Sequence, residues 1–103
     1  MSLKGTQKKQ LRALGHDLNP VVQVAENGLS EGVIKEADRA LTDHELIKIR
    51  FSMDDRDERN ALMAKLATKL QAELVQTIGK IGLYYRAARK PNPKLSNLLR
   101  FAD

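Results

Sequence analysis

Seven residues near the middle of the chain, Glu45 to Phe51, do most to restrict the fold. Ile47, Ile49 and Phe51 alternate with Leu46, Lys48 and Arg50. A period of two sends the first set to one side of an extended strand and the second to the other. One side is apolar and the other largely basic, so this strand belongs to a sheet with a buried face and a cationic one. On both flanks the apolar spacing changes to three and four residues, as in amphipathic helices. Val33, Ala37, Ala40 and Leu41 form the upstream stripe, with Ser30 as N-cap and Leu29 placed to staple onto Ile34. Leu62, Leu66 and Leu70, with Met63, form the downstream stripe. Asp54 or Asp55 caps that helix, and Asp55-x-x-Glu58 has capping-box spacing.

The rest of the chain extends this pattern. Leu11, Leu14 and Leu18 predict a first helix with Thr6 as N-cap, Lys8 and Arg12 on its polar face, and Asn19-Pro20 as its end. Val21 to Ala25 reads as a short, largely buried strand, and Asn27-Gly28 as a turn. Leu74 to Ile78 and Ile81 to Arg86 read as an antiparallel hairpin across Gly79-Lys80. In that last strand the expected phase puts Ile81, Leu83 and Tyr85 in the core, and Tyr84 with Arg86 on the outer face. If that face coincides with Lys48 and Arg50, a basic surface carries one ring suited to stacking on an unpaired base.

The order is helix, strand, helix, strand, helix, strand, strand. Right-handed crossovers in one direction then give a two-layer α/β sandwich with one antiparallel strand. The loops after the first three strands gather at one sheet edge, where ligands of such folds usually bind. Beyond Ala87 the chain has no strong periodicity, although Leu95, Leu98 and Leu99 are spaced for a short docking turn.

At 103 residues the chain fits one domain. Its charge is informative once located. Met1 to Pro20 holds four bases against one acid, and Glu73 to Asp103 six against two, whereas Val21 to Ala72 holds eight against ten. The net +5 therefore sits at the two ends of the chain, which suits a polyanionic partner. Cysteine is absent, which excludes disulfides, thiolate metal sites and cysteine nucleophiles. No apolar run approaches the roughly 20 residues of a membrane helix. The lysine-rich start has no hydrophobic segment of the secretory kind, so a cytoplasmic location is expected. His16 and His44 have no neighbours at metal-ligand spacing. Asp54, Asp55, Asp57 and Glu58 are better read as a helix start complementing its dipole. No cofactor, metal or catalytic set is expected, and the expected state is a monomer.

Several short strings occur in order at compatible spacing: Asn27-Gly28-Leu29-Ser30-Glu31-Gly32, His44-Glu45-Leu46-Ile47-Lys48-Ile49-Arg50, Val75-Gln76-Thr77-Ile78-Gly79-Lys80 and Tyr85-Arg86. Together they strongly resemble the YhbY family, the stand-alone bacterial form of the CRM domain (chloroplast RNA splicing and ribosome maturation). The resemblance spans roughly Leu3 to Arg86. It implies a fold similar to the C-terminal domain of initiation factor three, a mixed four-stranded sheet with the final strand inserted antiparallel. It also implies RNA binding without catalysis, with bacterial members on precursors of the large ribosomal subunit. The family carries a Gly-x-x-Gly loop after the first strand, likened to the RNA-clamping loop of KH domains. Here that loop is Ala25-Glu26-Asn27-Gly28, which lacks the first glycine and adds an acid.

The expected division is a CRM-like RNA-binding domain over residues 1–87 and a basic tail over 88–103. The candidate RNA contacts are Lys4, Lys8, Lys9 and Arg12 in the first helix, Asn27 and Gly28 in the loop, Lys48 and Arg50 in the strand, Lys80 in the hairpin turn, Tyr84 and Arg86 in the last strand, and Arg89 and Lys90 in the tail. The expected partner is ribosomal RNA of a large-subunit precursor, with ribosomal proteins as further contacts. A protein-interaction adaptor is the competing class, favoured by Glu31, Glu36, Asp38 and Asp43 on the second helix. Ionic strength separates the two, because phosphate contacts weaken steeply with salt.

Overall fold

A computed structural model describes residues 5–98. Its elements are α1 (Gly5–Gly15), β1 (Pro20–Val24), α2 (Glu31–His44), β2 (Leu46–Phe51), α3 (Arg56–Leu70), β3 (Glu73–Ile78) and β4 (Ile81–Tyr85). The two central helices start where their caps indicate. The Ser30 side chain accepts from the Val33 N–H, and the Asp55 carboxylate from the Glu58 N–H. α1 differs at both ends. Gly5 is already helical, so Thr6 lies within the helix, and the helix ends at Gly15 rather than at Asn19. Gly15 packs closely against the sheet: a Cβ there would lie 2.7 Å from Leu83 Cδ2. The chain then turns through hydrogen bonds from His16 N–H to Ala13 and from Leu18 N–H to Gly15.

The strand order is β1-β2-β4-β3. β1 runs parallel to β2, and β4 is antiparallel to both β2 and β3. The last strand is thus inserted between the second and third, as the resemblance implies. One sheet face carries Val22, Val24, Ile47, Ile49, Phe51 and Tyr84, packed under Ala37 and Leu41 of α2 and Met63, Leu66 and Leu70 of α3. Burying each large apolar side chain here contributes about 1.5–3 kcal/mol. The second face holds a smaller cluster of Leu46, Val75 and Leu83 under Leu11, Leu14 and Leu18. α1 therefore packs on the side opposite α2 and α3, a placement its own sequence leaves open.

This two-sided cover corrects the phase of the last strand. Tyr84 is 0% exposed and sits with the α2/α3 core, whereas Leu83 and Tyr85 face α1. Gly82 makes the space: a Cβ there would stand 2.9 Å from the Tyr84 ring. The ring lies 6.5 Å from that of Phe51, and its hydroxyl donates to the Met63 carbonyl at 2.8 Å. Burial raises the Tyr84 phenol far above its ordinary value.

Residues 88–98 fold back onto the α2–β2 junction. Glu45, in a left-handed conformation with φ 63°, is nearly fully buried. Its carboxylate accepts from the Ala88 N–H at 3.0 Å and from the Ser96 hydroxyl at 2.7 Å. Asn97 donates through its side chain to the Leu46 carbonyl and through its backbone to the His44 carbonyl. Leu98 joins the α1-side cluster, the docking contact expected of it; Leu99 lies outside the described residues.

Candidate nucleic-acid interface

Strand register assigns the cations of β2 to a face. Lys48 stands opposite Leu83 and Arg50 opposite Ile81, so both project on the α1 side. The face shared by Tyr84 and Arg86 is the other one. The expected union of Lys48, Arg50, Tyr84 and Arg86 on a single surface therefore does not form, and the reason is the one-residue phase error in β4. Tyr84 cannot stack on a base while it is sealed beneath α3.

Arg86 is committed to the fold. Its guanidinium donates to the Asp38 carboxylate at 2.8 Å, the Asp38 carbonyl at 2.9 Å, the Thr42 hydroxyl at 3.1 Å and the Leu70 carbonyl at 3.0 Å. It clamps α2 to the end of α3 rather than facing solvent as expected. Lys80 is likewise engaged, with its ammonium 2.7 Å from the Asp54 carboxylate. That hydrogen bond and charge hold Asp54 below its ordinary value.

The remaining cations behave differently. Among the described residues ion pairs form at Arg39–Asp43, Lys80–Asp54 and Arg86–Asp38, and none uses Lys8, Lys9, Arg12, Lys48 or Arg50. Lys9, Arg12 and Arg50 are exposed, and Lys8 and Lys48 half-buried. Lys48 donates to the His16 carbonyl at 3.2 Å, which draws its ammonium toward the end of α1. Beyond α1, a row crosses all four strands on this face: Gln23, Arg50, Ile81 and Ile78 stand opposite one another in register. Arg50 lies in the middle of that row, and Ile78 at its end is 62% exposed.

The loops that follow β1, β2 and β3 meet at one edge, as expected. The Ser52 N–H donates to the Val24 carbonyl and the Phe51 N–H to the Lys80 carbonyl. In the Ala25–Gly28 loop the Gly28 N–H bonds to the Ala25 carbonyl, and Gly28 alone takes a positive φ, of 80°. The turn therefore survives without the first glycine, and Glu26 and Asn27 are exposed on it. Arg89 and Lys90 are exposed in the segment leading to the docked tail, while Lys4 lies outside the described residues. Arg56 and Arg59, at the start of α3, also reach this edge; the acids around them masked them in the sequence.

No helix among the described residues is long and apolar enough to cross a membrane, and no group of side chains among them could hold a metal ion.

The fold and its unpaired cationic face define a small α/β module with a reversed final strand. The chain belongs to the CRS1/YhbY (CRM) domain family, whose model matches residues 3–86. It is 53% identical over 102 residues to a protein of Pseudomonas aeruginosa named as a probable RNA-binding protein, covering 99% of this chain and 98% of that one. An RNA-binding protein of Haemophilus influenzae is 39% identical over 94 residues, covering 91% and 95%. The solution structure of a candidate RNA-binding protein from Staphylococcus aureus matches with a TM-score of 0.78 and 34% identity, covering 92% of this chain and 98% of that one.

Proposed function

We propose that this protein binds RNA through the α1 side of its sheet and the adjoining loop edge, without catalysing a reaction. The observation that carries this reading is the set of basic side chains on that side, Lys8, Lys9, Arg12, Lys48 and Arg50, left without acidic partners among the described residues. An unpaired cation loses little on meeting a phosphate and releases the phosphate's counterions to bulk. Cations already tied to carboxylates, such as Lys80 and Arg86, gain much less. The names of the relatives support the same class of ligand.

The specific partner we propose is ribosomal RNA of a large-subunit precursor, bound in the cytoplasm by a monomer acting as an assembly factor. Ribosomal proteins are secondary contacts in this proposal. Sedimentation of the tagged protein through sucrose gradients of lysate, repeated at rising salt, tests it. Comigration with a large-subunit precursor, lost with salt and after nuclease treatment, is expected. Association indifferent to both treatments would instead mark a protein adaptor.

A further inference from the structure

Beside the loop edge lies an open cavity of about 340 Å³, lined by Arg56, Arg59 and Asn60 of α3 and by Thr77 and Gly79 of the β3–β4 hairpin. Its walls are fixed to each other. The Phe51 N–H to Lys80 carbonyl bond (2.8 Å) and the Lys80–Asp54 pair (2.7 Å) tie the hairpin turn to the loop that enters α3. Thr77 stands opposite Gly82 in register and so shares the α3 side of the sheet with Tyr84. At Gly79, with φ 55°, no heavy atom stands within 4 Å of where a Cβ would point.

We propose that this cavity is a seat for one internal phosphate of the RNA chain, with Arg56 and Arg59 as its charged ligands. The inference rests on the RNA-binding reading above and adds a contact on the far side of the loop edge. Arg56 is exposed and enters no ion pair among the described residues. Arg59 donates from Nη1 to the carbonyls of Met53 and Asp54, which holds its guanidinium at the cavity wall. Its Nε is buried, so a ligand in the open cavity meets the outer part of the guanidinium. The exposed Arg56 guanidinium, whose fork can bond two phosphate oxygens at once, stands with a second guanidinium, an amide and a hydroxyl, a lining that matches a tetrahedral oxyanion. No carboxylate lines the cavity, which argues against a metal cation.

Nearby acids shape the role of this contact. Asp54 is paired with Lys80, and the Asp55 carboxylate caps the Glu58 N–H. Asp57 and Glu58 are exposed elsewhere on the first turns of α3 and do not line the cavity. Together they cancel the long-range pull of the arginines. The seat therefore fixes the register of RNA already gathered by the α1 side, as phosphate contacts commonly do.

The test is binding of a short single-stranded RNA of mixed sequence, carrying either a 5′-hydroxyl or a 5′-phosphate, over a series of salt concentrations. Wild-type protein is compared with Arg56→Gln, Thr77→Val and the pair Lys9→Gln/Arg12→Gln, each checked for an unchanged melting midpoint. Arg59 is left intact because it anchors the loop. Arg56→Gln should weaken binding severalfold for both RNAs and lower the slope of log affinity against log salt by about 0.7. Thr77→Val should weaken binding without changing the slope. If Arg56→Gln binds like wild type while Lys9→Gln/Arg12→Gln is weakened, the seat is refuted and the RNA reading survives. A loss confined to the 5′-phosphorylated RNA would reassign the cavity to a terminal phosphate and overturn the internal one. Wild-type protein that binds neither RNA at low salt would sink the RNA reading itself.

Discussion

The hydroxyl of Tyr84 donates to the carbonyl of Met63 across 2.8 Å, joining the last strand to the middle of α3 inside the core. The Met63 carbonyl belongs to a helix, so the bond fastens β4 to α3 at a fixed height. Tyr84→Phe keeps the ring and removes the donor. It should lower unfolding free energy by about 1 kcal/mol, read from denaturant melts, and leave RNA affinity unchanged. A loss of RNA affinity without a loss of stability would mean that the hydroxyl reaches RNA instead of Met63.

Alkaline pH offers an independent check. Burial raises the Tyr84 phenol, and burial followed by the Glu45 charge raises that of Tyr85. A raised folded-state value means that the unfolded chain loses its phenolic protons first. Stability from this source is therefore intact below about pH 10, the ordinary tyrosine value, and falls as pH rises above it. The Tyr84 share of the phenolate absorbance should accordingly appear together with unfolding rather than before it.

Arg86→Ala should act on stability rather than on RNA. Its four hydrogen bonds join α2 and α3 to the residue that follows β4, and its side chain is only 22% exposed. A loss of about 2–3 kcal/mol is expected, since hydrogen bonds to charged groups sit at the strong end of the range. Measured on folded protein, the salt dependence of RNA binding should be unchanged.

Glu45 and Ser96 make the tail part of the domain's stability. Glu45→Ala removes the acceptor that the Ala88 N–H and the Ser96 hydroxyl use, at a cost of about 1–3 kcal/mol where the Ala88 N–H stays buried. Hydrogen exchange should accelerate at the Asn97 amide, which bonds to the His44 carbonyl, more than at amides in β2.

What sequence could and could not show follows from these contacts. β2 was legible because its two faces differ in chemistry, and α2 and α3 because Ser30 and Asp55 are strong caps. The insertion of β4 came from the family resemblance. The phase of β4 was not legible. Ile81-Gly82-Leu83-Tyr84-Tyr85 meets apolar partners on both faces, so alternation carries no signal, and a slip of one residue exchanges Tyr84 with Tyr85. Exposure was legible where the surroundings are local: Lys9, Arg12 and Arg50 are exposed and enter no ion pair among the described residues. Arg86 and Lys80 were misleading because their partners, Asp38 and Asp54, lie 48 and 26 residues away. Glu45's left-handed backbone and its bond to Ser96, 51 residues distant, leave no periodic trace at all.

The most direct measurement is the salt dependence of RNA affinity for wild-type protein and for Lys9→Gln/Arg12→Gln/Arg50→Gln, with Lys80→Gln as a control. All three residues of the triple variant are exposed and unpaired among the described residues, so folding should be unaffected. The slope should fall by about 2 in the triple variant, at about 0.7 per phosphate contact on a single strand, and barely change in Lys80→Gln, whose charge Asp54 already neutralises. An unchanged slope in the triple variant, or a larger loss from Lys80→Gln, would contradict placing the interface on the α1 side of the sheet.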